Sequence, residues 1–131
     1  MIRTSRSIAL RSRALGVLGV LGVLAGLAGL AGCGVDSTVS RTLGARCDNA
    51  DECDDRCLAP GTEFPGGFCS LSCEATADCP GGASCADVDA GVCLFECDAD
   101  LRCEFLGDGW RCLEVPLRGR SAERVKVCLG G

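Results

Sequence analysis

The residues with which this chain could do chemistry are its cysteines, of which there are 13 among 131 residues. The chain has no histidine and no tyrosine, so the Ser–His and Cys–His pairs of nucleophilic catalysis and histidine metal sites are absent. No two cysteines stand in the C-x-x-C spacing of thioredoxin-like redox sites. An odd number of cysteines leaves one over when disulfides form. That one is expected to be Cys33, after "LAGLAGLAG", as a spare disulfide partner, a reactive thiol or a residue with no redox role.

The first 32 residues have the pattern of an export signal. Arg3, Arg6, Arg11 and Arg13 form a basic start without an acid, and residues 14–32 are uncharged and mostly apolar. The apolar segment is nearly long enough to span a membrane, but its many glycines lower both its hydrophobicity and its helix propensity. The sequence therefore predicts that residues 1–32 are a signal peptide that is removed, rather than a retained membrane helix.

The end of this segment, Leu30-Ala31-Gly32-Cys33, resembles the lipobox of bacterial lipoproteins, with an aliphatic residue, two small residues and a cysteine. The resemblance implies that a diacylglycerol is attached to the Cys33 sulfur, that signal peptidase II cuts before Cys33, and that the new amine receives a chain such as palmitate. Two or three acyl chains anchor a protein stably, whereas one holds it only marginally. The alternative is an ordinary signal peptide with Cys33 in a disulfide.

The same resemblance predicts the location, which is the cell envelope, anchored by lipid to a bacterial membrane and facing away from the cytoplasm. Gly34 stands where some bacteria use aspartate to retain a lipoprotein at the inner membrane, so glycine there favours the outer membrane. Residues 33–46 are then expected to be the lipid anchor and a flexible tether.

The chain after residue 32 has the composition of a disulfide scaffold. It contains 12 cysteines in 99 residues, above the ~8–10% that is typical of short cross-linked secreted chains. One lipid-bearing cysteine and six disulfides use all 13, and disulfides require an oxidising compartment. Without the four arginines of the signal, the 13 basic residues fall to 9 against 18 acidic ones. This acidic balance predicts no nucleic-acid partner.

The 12 cysteines fall into three tandem modules of four. Each module opens with C-x5-C, the opening pair recurs after 26 and again after 24 residues, and an acidic residue always follows the first cysteine. The predicted cysteine-rich modules are residues 47–69, 73–93 and 97–128. Modules this short bury too little apolar surface to fold without cross-links, so we expect short strands and turns with little helix.

The third module contains an insertion that predicts a C-terminal hairpin. "WRCLEV" at 110–115 and "RVKVCL" at 124–129 have the composition of strands, joined by a loop that contains Pro116 and Gly119.

Four cysteines allow three pairings within a module. We favour bonds from the first cysteine to the third and from the second to the fourth, because that crossing fixes both loops of a module in one compact knot. The expected disulfides are Cys47–Cys57, Cys53–Cys69, Cys73–Cys85, Cys79–Cys93, Cys97–Cys112 and Cys103–Cys128.

The segment "CEATADCPGGASCADVDAGVC" at 73–93 resembles cysteine-rich repeats of bacterial surface lipoproteins. Those repeats are likened to the Dickkopf N-terminal cysteine-rich domain and, more loosely, to EGF-like modules. The resemblance covers about 47–112, and the insertion before Cys128 departs from it. It implies a small extracellular module and says little about a ligand.

Two acidic segments raise the alternative of a calcium site. "DNADECDD" at 48–55 and "DVDAG" at 87–91 gather oxygen ligands, of which calcium takes six to eight. Neither is a complete calcium loop, and acidic loops also keep a cross-linked scaffold soluble. We therefore predict no metal and no cofactor, with calcium as the alternative. Zinc on four cysteines is disfavoured by the spacing, and no carboxylate pair is marked as the acid and nucleophile of a glycosidase.

Phe64 is the aromatic residue that we expect at a binding surface. It lies in the longest loop of the first module, and exposed aromatic side chains dominate protein interfaces. Phe68 and Trp110 are close to cysteines in sequence and are expected in the core. The predicted function is a non-enzymatic, membrane-anchored lipoprotein whose modules have a structural role or bind an extracellular protein. The alternative is a tethered protease inhibitor that uses the Phe64 loop.

Overall fold

The computed structural model describes residues 38–131, so the predicted signal peptide and Cys33 lie outside the described residues. The elements of this part of the chain are short strands and three 3-10 helices. The strands are β1 (Arg56–Leu58), β2 (Phe68–Ser70), β3 (Ala83–Ala86), β4 (Val92–Phe95), β5 (Trp110–Leu117) and β6 (Arg120–Gly130). The 3-10 helices are η1 (Ala50–Glu52), η2 (Thr76–Asp78) and η3 (Asp100–Leu106).

The strands form two antiparallel sheets. β1 pairs with β2, and the other four strands form one sheet in the order β4-β3-β5-β6. β3 meets β5 where Ala86 lies opposite Leu117, so the second and third modules share a sheet. The fold class predicted from the sequence, a small disulfide-rich chain of short strands and turns, is confirmed.

Each module is one hairpin with a 3-10 helix beside it. The third and fourth cysteines of a module lie directly opposite each other on paired strands, and residues so placed point to the same face of the hairpin. The 3-10 helix begins within the C-x5-C segment, which carries the first and second cysteines, and in the third module it continues to Leu106. The opposite pairs are Cys57 and Cys69, Cys85 and Cys93, and Cys112 and Cys128.

This geometry explains why the disulfides cross. Two sulfurs on one face of the hairpin each meet one sulfur from the 3-10 segment, and the first cysteine is bonded to the third and the second to the fourth in every module. This is the connectivity that the sequence analysis favours. The six bonds are Cys47–Cys57, Cys53–Cys69, Cys73–Cys85, Cys79–Cys93, Cys97–Cys112 and Cys103–Cys128.

A glycine two residues before the fourth cysteine closes the first two modules. Gly67 and Gly91 have φ of 76° and 98°, a region that L side chains rarely adopt. A Cβ on Gly67 would lie 1.8 Å from the carbonyl oxygen of Cys47, and one on Gly91 would lie 2.4 Å from that of Cys73. The "GFC" and "GVC" repeats therefore need glycine because the main chain near the end of each module packs closely against the carbonyl group of that module's first cysteine.

The three modules share one aromatic core rather than folding as separate units. Phe68 of the first module lies 6.0 Å from Phe95, which follows the second, and 5.2 Å from Trp110 of the third, between ring centroids. The indole N–H of Trp110 donates to the carbonyl oxygen of Pro65 at 3.2 Å. Phe68 and Trp110 are buried, as predicted.

The residues just before the first module are part of the folded body, which corrects the prediction of a flexible tether at 33–46 for its described part; residues 33–37 lie outside the described residues. Leu43 is only 3% exposed and belongs to the core. The amide N–H of Gly44 donates to the carbonyl oxygen of Cys69 at 2.9 Å, and the amide of Cys69 donates to that of Ala45 at 2.7 Å. A buried leucine and paired main-chain groups hold these residues against β2. Any free tether is therefore confined to residues before about 39.

The C-terminal hairpin is longer and tighter than predicted. Leu117 pairs with Arg120, so only Arg118 and Gly119 remain as the turn, and Pro116 lies inside β5. Proline lacks an N–H for the ladder, and the strand register shifts between Pro116 and Leu117. The carbonyl oxygen of Pro116 accepts a 2.8 Å hydrogen bond from the amide N–H of Asp87.

Candidate functional site

The predicted lipidation site, Cys33, lies outside the described residues, but the described disulfides bear on its chemistry. The six bonds use all 12 cysteines that follow it. No cysteine of the chain is left to pair with Cys33 within the folded body. The Cys33 sulfur is therefore the one that is available to accept a lipid or to react with a thiol from outside the chain.

The Phe64 ring does not form an exposed binding surface, and the prediction that it does was wrong. Its side chain is only 6% exposed, with its ring centroid 6.5 Å from those of Phe68 and Trp110. The loop folds back because Gly61 and Gly67 each donate an amide hydrogen bond to the carbonyl oxygen of Phe64. The aromatic residue of this long loop completes the shared core instead of facing solvent.

Several carboxylates of the two segments that raise the alternative of a calcium site have partners within the chain. In 48–55, Glu52 accepts hydrogen bonds from the amide of Asp48 at 2.7 Å and from the side chain of Asn49 at 3.3 Å. In 87–91, Asp87 pairs with Arg118 at 2.8 Å and Asp89 with Arg56 at 2.6 Å. These contacts stabilise turns and join modules. They give no indication that the carboxylates converge on a cation.

Within each module the two disulfides pack against each other. Three cysteine sulfurs per module lie within 4.8 Å of one another, close enough to be shared by a metal ion. Each of these sulfurs is already bonded to another sulfur, so in the oxidised chain none offers the thiolate that zinc requires. The clusters are therefore cross-links.

Two exposed aspartates have a lowered pKa for structural reasons. The amides of Glu74 and Ala75 donate to Asp78, and these two hydrogen bonds lower the pKa of its carboxyl. The pKa of the Asp100 carboxyl is lowered by the amide of Cys112, assisted by the Arg111 guanidinium. The Asp78 carboxyl orders the start of its own 3-10 segment, and the Asp100 carboxyl joins η3 to β5. A proton donor for catalysis would need a pKa shifted in the other direction.

The arginines of the C-terminal hairpin do not form an open basic surface. Four of them have acidic partners, which neutralise the local excess of positive charge. The pairs are Arg111 with Asp100, Arg118 with Glu74 and Asp87, Arg120 with Glu123, and Arg124 with Glu114.

An apolar surface on η3 is the candidate site that the sequence did not single out. Among residues 38–131, the exposed large apolar side chains are Leu101, at 70%, and Phe105, at 49%. The Phe105 ring stands edge-on to Phe95 with their centroids 5.2 Å apart. We call Leu101 and Phe105 the η3 patch. The signal in the sequence was the presence of Leu101 and Phe105 within "DLRCEFL".

A cavity of 290 Å³ adjoins the η3 patch. Phe95 and Phe105 form its apolar wall, Glu96 and Arg102 its charged rim, and Thr38, the first described residue, lies at its edge. The Glu96 carboxylate is held by the hydroxyl of Ser84, and Arg102 is paired with Asp98 at 3.5 Å. The arrangement is an open depression of mixed polar and apolar lining, in which the two charged side chains have partners.

In comparisons with known proteins, no family model, no curated sequence and no solved structure matches the chain. Within residues 38–131, none of the helices combines the length and the apolar character that a membrane crossing demands.

Proposed function

We propose that this chain is a lipoprotein of the bacterial cell envelope, in which Cys33 carries the lipid and the residues from about 39 onward form a body outside the cytoplasm. The observation that carries the proposal is the cysteine count. Six disulfides within the body use every cysteine except the one that ends Leu30-Ala31-Gly32-Cys33. Disulfides persist in oxidising compartments, which agrees with export.

The body is proposed to be a non-enzymatic scaffold with a structural or protein-binding role. Its acidic side chains form ion pairs and accept main-chain hydrogen bonds, as Glu52, Asp78 and Asp100 do. A hydrolytic site would need a nucleophile beside a base or two carboxylates across a cleft. The core and the cross-links instead make one rigid body, which presents the η3 patch at its surface.

The alternative of a tethered protease inhibitor is weakened, because it depends on an exposed Phe64 in the long loop of the first module. Such an inhibitor presents an exposed side chain on a loop held open by disulfides, whereas Phe64 is packed between Phe68 and Trp110. Inhibition through that loop would first require the aromatic core to open.

The test is membrane anchoring of the full chain expressed in a bacterium with an outer membrane. Cells are fed an alkyne-bearing palmitate, and membranes are partitioned between detergent and water. Wild type and a matched Ser37→Ala variant, which keeps Cys33, are expected to carry the label and to enter the detergent phase. Cys33→Ser is expected to be unlabelled and to keep residues 1–32. Label on Cys33→Ser, or none on wild type, would contradict the proposal.

A further inference from the structure

The η3 patch lies next to the point at which the chain leaves the folded body toward its N-terminus. Thr38 lines the same cavity as Phe95 and Phe105. Cys33 is five residues before Thr38, and five extended residues span at most about 18 Å. A lipid on Cys33 therefore holds Thr38, at the cavity beside Phe105, within about 18 Å of the residue that carries the anchor.

The turn of the C-terminal hairpin is distant from η3. η3 contacts the end of β5 that carries Cys112, whose amide donates to Asp100 at 2.8 Å. The turn at Arg118 and Gly119 begins six residues later along the chain, at about 3.4 Å per residue, or roughly 20 Å away. Leu101 and Phe105, the exposed large apolar side chains of the described residues, are therefore on η3, and the hairpin turn is at the other end of β5.

The charges around the η3 patch are compensated. Arg102 pairs with Asp98 at 3.5 Å, and Arg111 pairs with Asp100 at 3.2 Å, on either side of Leu101. Paired charges are less costly to bring to a lipid surface than single ones. Glu104 carries a negative charge within η3, and the body as a whole is acidic, so a zwitterionic lipid surface fits this face better than an anionic one.

We propose that the η3 patch rests on the membrane, with Leu101 and Phe105 in contact with the headgroup and acyl boundary of a zwitterionic lipid surface. This inference rests on the proposed lipid anchor at Cys33 and adds to it an orientation of the body. Exposed apolar side chains at the interface add to the binding that acyl chains supply. The hairpin turn then points away from the bilayer, where it is accessible to extracellular molecules.

The test is photocross-linking of the full chain in membranes. p-Benzoylphenylalanine replaces Leu101 in one variant and Ala122, an exposed residue near the hairpin turn, in a matched control. Both positions are at the surface, so neither change disturbs the core. Washed membranes containing zwitterionic phosphatidylethanolamine are irradiated, and the adducts are identified by intact mass.

The proposal predicts lipid adducts at position 101 that are at least tenfold more abundant than at position 122. Equal lipid adducts at the two positions, or none at 101, would overturn the orientation. Protein adducts in place of lipid at 101 would overturn it in favour of a docked protein. In all three cases the chain still sediments with membranes and carries lipid on Cys33. If it is instead released by washing, the anchor itself is refuted, so the two failures are distinguishable.

Discussion

The hydroxyl of Ser70 donates a 2.7 Å hydrogen bond to the main-chain carbonyl oxygen of Cys93. Ser70 ends β2, one residue after the last cysteine of the first module, Cys93 lies in β4 in the second module, and both are fully buried. The bond therefore crosses from one module to the next. Together with the rings of Phe68, Phe95 and Trp110, it indicates that the three modules unfold as one body.

Replacing Ser70 with alanine is expected to lower the free energy of unfolding by about 1 kcal/mol or more, because a buried carbonyl loses its hydroxyl donor. Urea unfolding with the disulfides intact, followed by Trp110 fluorescence, measures the change. Ser72→Ala, at an exposed position, is the control and should leave stability unchanged. Two separate transitions in the wild type would show that the modules unfold independently and would contradict the shared core.

Substitution of the glycine that closes a module should block oxidative folding. Gly67→Ala places a Cβ 1.8 Å from the carbonyl oxygen of Cys47 at a φ of 76°, so the 47–69 module cannot close without moving its main chain. Reversed-phase chromatography of the refolded chain should show mixed disulfide isomers. Gly81→Ala, whose Cβ meets nothing within 4 Å, should refold like wild type. A single native isomer from Gly67→Ala would refute the proposed role of this glycine.

Replacing Phe64 with alanine should lower the free energy of unfolding, because Phe64 belongs to the core rather than to a binding surface. Truncating a buried phenylalanine to alanine typically costs about 3–5 kcal/mol, and Phe64 packs against two aromatic rings. Leu101→Ala, at a side chain that is 70% exposed, should change the free energy of unfolding by no more than about 0.5 kcal/mol. Urea denaturation of both variants makes the comparison. Equal effects would mean that Phe64 is not part of the core.

The lowered pKa of the Asp78 carboxyl predicts a loss of stability in acid. A carboxyl with a lower pKa in the folded state stabilises fully above its unfolded pKa, and the contribution disappears as the pH falls through the folded value. The ordinary value is 3.8, so the loss lies below about pH 4. Between pH 5 and pH 2, Asp78→Asn should lose less stability than wild type. Asp108→Asn, at an exposed position, is the control, and identical pH profiles for wild type and Asp78→Asn would contradict the assignment.

The cysteine spacing predicted most of the module architecture because the repeats carry strong geometric constraints. Opposed third and fourth cysteines need a hairpin, and the C-x5-C segment needs a single tight turn to bring its two sulfurs to one face. Gly67 and Gly91 occupy the same position in the first two modules, two residues before the fourth cysteine, so the sequence shows that glycine repeats there but not why. The reason is a close approach to the carbonyl oxygens of Cys47 and Cys73, which no local pattern reveals.

The contacts between modules were not predictable from the same spacing. Phe64 lies in a glycine-rich loop and Leu43 in a segment that looked like a linker, yet both are buried in a core formed by distant residues. Leu101 and Phe105 stand among charged residues, and only the packing of η3 shows that they stay exposed. Burial across modules depends on tertiary packing, and a single sequence contains no periodic signal for it.

The most direct test of the account is the intact mass of the detergent-extracted chain, before and after reduction and thiol alkylation. The account predicts a chain that begins at Cys33 with the added mass of a diacylglyceryl group. It also predicts no alkylation before reduction and 12 alkylated cysteines after it. A chain that retains residues 1–32, or one in which all 13 cysteines are alkylated, would contradict it.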